Sequence, residues 1–151
     1  MSVNPFDPRT ILLAKHAQHV VLVHFPIALF LAGALFDFLG RCTRNAALEA
    51  VAYFNSLVAA LSTVPVVATG LLAWQWALEG QKLKGMLLLH LLFGAISTVL
   101  IWTVWLLHRS ARRRGDSASV AWRLSLESIA VVAVAITGHL GGFLSGVNIG
   151  A

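Results

Sequence analysis

The chain has 151 residues, 58% of them hydrophobic and only 11% charged, with a formal net charge of +5 and a mean hydropathy of +0.82. A soluble domain carries about 25% charged residues, so too few polar groups remain here to cover a water-facing surface. The positive balance does not mark a nucleic-acid binder, because the Lys and Arg residues stand in short segments between apolar runs, as in integral membrane proteins.

Residues 1–19 open with MSVNPFDPRT, polar and broken by Pro5 and Pro8, with no basic start ahead of an apolar core. No cleavable leader is expected, and the first long helix is expected to direct its own insertion. TILLAKHAQ reads as a short interfacial helix or as an extension of the first span. Residues 20–151 form the membrane domain. A span needs roughly 20 mostly apolar residues, and four stretches qualify: Val20–Leu39, Val51–Ala77, Met86–Leu107 and Leu124–Phe143. Pro26 removes the amide that would bond the Leu22 carbonyl, so the first helix is expected to bend beside His24. Pro65 is expected to kink the second span rather than end it. Short connections make successive helices antiparallel neighbours. The expected fold is therefore all-α, a four-helix transmembrane bundle running up-down-up-down.

The basic residues set the orientation. One side holds Arg41, Arg44, Arg109, Arg112, Arg113, Arg114 and Arg123, and the other Arg9, Lys15, Lys82 and Lys84. Seven against four places the RSARRRG loop in the cytoplasm and both termini outside a bacterial-type inner membrane. Trp74 and Trp76 are expected at one interface, and Trp102, Trp105 and Trp122 at the other. Cys42 is the one cysteine. It excludes an internal disulfide, a Cys-rich metal site and the Cys-x-x-Cys-His attachment of c-type haem.

With antiparallel threading, His19 and His24 on the first helix, His90 on the third and His139 on the fourth all fall near the outer face. Only His108 falls on the cytoplasmic side, beside Arg109. Ionisable side chains within spans are costly and face the bundle interior or a cavity. Ala28 lies one turn from His24, Gly94 and Ser97 lie on the face of His90, and Ala135 lies one turn from His139. Small residues there leave a flat slot, although helices also use them for close packing. Imidazole is a ligand for zinc, copper and haem iron. A di-iron site is not expected, since inner carboxylates of the Glu-x-x-His kind are missing. Asp37 with Arg41, and Glu127 with Arg123, read as i,i+4 structural pairs.

HVVLVHFPIAL, residues 19–29, resembles the pattern of a bacterial four-helix membrane family catalogued as domain of unknown function 2231. That pattern is a His, four residues, then His-Phe-Pro-Ile. Further matches are Thr69-Gly70 with Trp74, His90, and GHLGG at 138–142 followed by Gly146. Val20 stands where the family often has Pro. The resemblance runs from about His19 to Gly150. It implies a membrane bundle with grouped histidines and supplies no biochemical function.

From the residues alone the expected function is that of a membrane b-type cytochrome, an electron carrier or redox-complex subunit rather than a complete enzyme. One haem b is expected between His24 and His90. These lie on diagonal helices, separated by roughly 1.4 times the usual 8–10 Å between neighbours. His139 and His19 are candidates for a second haem or for supporting partners, and Lys15, Lys82 and Lys84 for neutralising propionates. Alternatives are a copper or zinc site on the same histidines, and an assembly subunit whose histidines only join helices. Expected partners are the bilayer, a redox protein or quinone, and further copies of the chain.

Overall fold

The computed structural model describes residues 15–114 and 120–146. Of the proposed interfacial segment TILLAKHAQ, residues 10–14 lie outside them and residues 15–18 are helical. The described residues are helical with short turns. α1 is Lys15–Leu22, α2 His24–Thr43, α3 Ala46–Leu72, α4 Gly85–Arg114 and α5 Val120–Leu144. One π-helical turn, Ala73–Ala77, follows α3. Four stretches are long and apolar enough to cross a membrane: Gln18–Thr43, Ala46–Trp76, Gly85–Arg113 and Trp122–Leu144. They extend the expected spans by a few residues at most ends. The apolar run marks the hydrocarbon, whereas the helix continues until its backbone groups can reach water.

Local chemistry explains the joints. Helix α1 gives way to α2 at Val23, and Pro26 then sits in the first turn of α2, where its missing amide costs no helical bond. Pro65 lies inside α3, which runs through it without ending. The α2–α3 turn uses Arg44 in the left-handed region (φ 53°) and Asn45 as N-cap, its side chain accepting from the Ala47 amide at 3.0 Å. Gly40 is required at that turn. A Cβ there would lie 2.9 Å from Glu49 Cγ and 3.0 Å from the Glu49 amide nitrogen. Trp74 donates from Nε1 to the Gln81 carbonyl at 2.9 Å and ties down the turn after α3.

Around the bundle α2 meets α3, α3 meets α4, α4 meets α5 and α5 returns to α2, while α1 lies on α3 and the π turn. The interior is made of small residues. Ala52, Ala59, Ala60 and Ala130 are fully buried, together with Phe30, Ile101, Val104 and Val134. Large apolar side chains such as Phe25, Phe54, Val64, Val99, Ile129 and Val132 face outward. That inversion suits lipid, where exposed apolar surface carries no cost and close backbone approach supplies dispersion energy. Spare hydroxyls return to their own helices, as Ser56 does to the Ala52 carbonyl and Thr103 to the Val99 carbonyl.

Candidate functional site

Two polar layers stand at opposite ends of the bundle. On α4 they are marked by His90 and His108, eighteen residues and about 27 Å apart along a helix.

At the first end His19 reaches from α1 to α3. Its Nδ1 lies 3.1 Å from the Val66 carbonyl and 3.3 Å from Thr69 Oγ1. The ring lies over Gly70, where a Cβ would stand 2.9 Å from Cε1. His90 reaches from α4 to α5 in the same manner. Its Nδ1 is 3.2 Å from the Thr137 carbonyl, and a Cβ on Gly141 would be 3.2 Å from its Cε1. Thr137 Oγ1 is bonded in turn to Ser97 Oγ at 2.9 Å. The two imidazoles face each other edge to face, with centroids 6.4 Å apart and planes at 81°. Because a carbonyl only accepts, each Nδ1 carries the proton, and the acceptor nitrogen of the neutral ring is Nε2.

The structure thus brings together His19 and His90. His24 and His139, also expected at this level, are exposed. His24 donates from Nδ1 to the Val20 carbonyl at 2.7 Å, and His139 meets the Phe143 ring edge-on at 4.9 Å. His24, expected opposite His90, is exposed and turned back to its own segment. His19 lies on α1 and His24 on α2, on either side of the joint at Val23, and it is His19 that is turned to α3. His90 docks between Thr137 and Gly141, an i,i+4 pair, which turns His139 to the far side of α5.

At the other end the sequence reading missed a network. Arg41 donates from Nε to Asp37 Oδ2 at 2.7 Å, and Arg123 donates from one terminal nitrogen to both Asp37 oxygens, at 3.0 and 3.2 Å. Arg123 Nε lies 3.9 Å from Glu127 Oε1, and His108 Nε2 lies 2.5 Å from the same oxygen. Asp37, Glu127, His108 and Arg123 are 1%, 3%, 4% and 6% exposed, so these side chains form one buried unit across α2, α4 and α5. The expected Asp37–Arg41 pair is one edge of it. The Arg123–Glu127 pair is looser than a hydrogen bond. His108, expected on the surface among arginines, is a buried partner of Glu127. Glu127 Oε2 and Arg123 Nε are buried with no hydrogen-bond partner. Ligand atoms of Asp37, His108 and Glu127 lie within 4.8 Å of one another. Both oxygens of Asp37 are held by guanidiniums, however, and a divalent cation would sit against two positive charges. A groove of about 550 Å³ along α2 and α5 has Glu127 in its lining, with Ala34, Phe38, Leu124 and Val131.

The tryptophans divide differently from the expected belts. Trp76 and Trp122 are exposed. Trp102 and Trp105 are half-buried against the core. The Trp102 indole donates to Thr63 Oγ1 at 3.1 Å, and the two rings meet edge-on at 5.6 Å.

Comparison with curated proteins and with solved structures gives no match. A family model described as "Predicted membrane protein (DUF2231)" matches residues 15–148, nearly the whole chain and both polar layers. This chain belongs to that family of predicted membrane proteins.

Proposed function

We propose that the chain is a membrane b-type cytochrome that holds one haem between His19 and His90 and passes electrons as a carrier or as the membrane subunit of a redox complex. The observation that carries this reading is the pair of facing imidazoles 6.4 Å apart, each with Nδ1 committed to a backbone carbonyl. With metal–imidazole bonds of about 2.0 Å, two imidazoles that both offer Nε2 to one ion have centroids about 6 Å apart, so the spacing suits a shared ion while one ring would have to turn from the present edge-to-face arrangement. Ligating histidines characteristically donate their other nitrogen to a carbonyl or carboxylate, which fixes the ring and raises its basicity. The residues fit haem better than a bare ion. A zinc site takes three or four protein ligands, whereas haem iron asks the protein only for its axial pair. Among the described residues the single cluster of three or more such ligands is at the other end of the bundle. A bound haem would supply one-electron chemistry. The protein's share is to hold both rings against Gly70 and Gly141 and to keep the site within an apolar shell.

In this reading the arginine-rich end faces the cytoplasm and the histidine pair the outer side of an inner membrane, with a redox protein or quinone as partner. His139 stays a candidate for a second, surface-bound group. The test is an absorption spectrum of protein purified after expression with ample haem precursor, oxidised and then dithionite-reduced. A Soret band and sharpened reduced bands are expected. They should vanish in His19→Ala and His90→Ala and persist in His24→Ala and His108→Ala. Reproducible absence of haem from the wild type overturns the reading. Loss in His24→Ala with retention in His19→Ala would restore the His24–His90 pairing.

A further inference from the structure

We propose that Glu127 and His108 form a buried proton-binding site, in which one proton from the water at the arginine-rich end adds to a pair already sharing one. The site is separate from the histidine pair and does not depend on haem.

The charge count points to it. Asp37 lies between the guanidiniums of Arg41 and Arg123 and is bonded to both. Two carboxylates then balance two guanidiniums while His108 is neutral and donates from Nε2 to Glu127 Oε1. In that state Glu127 Oε2 is a carboxylate oxygen that is buried and has no hydrogen-bond partner, which is expensive in a low-dielectric interior. Adding one proton makes Glu127 a neutral acid or His108 an imidazolium. A neutral acid removes the uncompensated carboxylate, an imidazolium gives it a counter-charge, and in either form the cluster carries a single positive charge. The step adds a proton only; no bond between heavy atoms changes and no electron moves.

Size selects the ligand. The open oxygen has essentially no accessible surface, so nothing larger than a proton or a water reaches it unless helices part. Its neighbours also favour a proton over a metal ion. Beyond Arg41 and Arg123, α4 adds Arg109, whose guanidinium stands 5.5 Å from the centroid of the Trp105 ring. At the same end α3 offers Tyr53, covered by Arg112 at 4.6 Å. Among the described residues, the charges named at this end other than the carboxylates of Asp37 and Glu127 are positive. A divalent cation would add two units to that set, whereas one proton adds a single unit.

The experiment uses the full chain in lipid nanodiscs, with ¹³C-glutamate for infrared spectra and ¹⁵N-histidine for NMR. The pH is stepped through the range where an imidazole titrates and kept above that of ordinary glutamates. Glu49 and Glu79, the other two glutamates, are exposed. The expected result is either a glutamate C=O band that grows on acidification or an imidazolium signal from His108. Either should be absent from Glu127→Gln, and its midpoint should move at least tenfold in proton concentration in His108→Gln. The labels read the wild type, so the answer stands even where a variant fails to fold. No change in either signal while helicity is intact overturns the proposal, as does a titration that survives Glu127→Gln unaltered.

Discussion

The two ends of the bundle handle polar atoms by opposite means. At the histidine end each imidazole bonds to backbone oxygen on a neighbouring helix and lies in a glycine notch, His19 at Gly70 and His90 at Gly141. No formal charge is buried in that pair when the rings are neutral. At the arginine end, charge compensates charge across three helices, and almost nothing is left to water. The first end spends its backbone contacts on aiming two rings at each other. The second holds ionised groups within the membrane only as a set. One end is built around direction, the other around neutrality.

That contrast breaks most visibly at Asp37. Asp37→Ala leaves Arg41 and Arg123 facing each other without their shared carboxylate, and removal of one member of a buried ionic set costs about 3–5 kcal/mol. The variant should accumulate poorly or melt far below the wild type in detergent. A melting temperature within error of the wild type would mean the network contributes nothing to the fold. A smaller effect is expected at Gly70. A methyl there enters the space of the His19 ring, and overpacking costs about 1–3 kcal/mol. Gly70→Ala should hold its helicity but weaken or shift the absorption bands. Unchanged bands would show that the notch does not position the ring. The smallest effect belongs to Cys42, exposed and unpaired. Cys42→Ser should leave stability within ±0.5 kcal/mol and the spectrum unaltered, and loss of bands would displace the site toward the α2–α3 turn.

Hydropathy made the four membrane helices legible, because a span is written in one continuous stretch. The approach of His19 to His90 follows from the same span order. Rotation about each helix axis was not legible. The choice of His19 over His24 depends on which face α1 turns to α3, and the paired Thr69-Gly70 on α3 was the available clue. The charged network was hidden for a related reason. Arg123 and Asp37 are 86 residues apart, and each had a tempting partner one turn away on its own helix. The overlooked signal was position: Asp37 follows LAGALF and Glu127 precedes SIAVVAVA. An acid inside an apolar run is costly enough to imply partners on other helices. That Trp102 and Trp105 also pack on the core, where the Trp102 indole N–H finds Thr63, was not legible, because a tryptophan's sequence position does not say which neighbour it meets.

Between the two ends lies the layer of Ala59, Ala60, Ala130, Phe30, Val104 and Val134. Electrically this is an insulator between two polarisable plates. The membrane voltage falls mainly where the dielectric is low, so most of it drops across those buried side chains. A charge confined to either plate senses little of the field. A charge crossing from one to the other would do work of about 2.3 kcal/mol for every 100 mV. Small residues close that layer tightly, so the two ends share a scaffold while staying electrically separate.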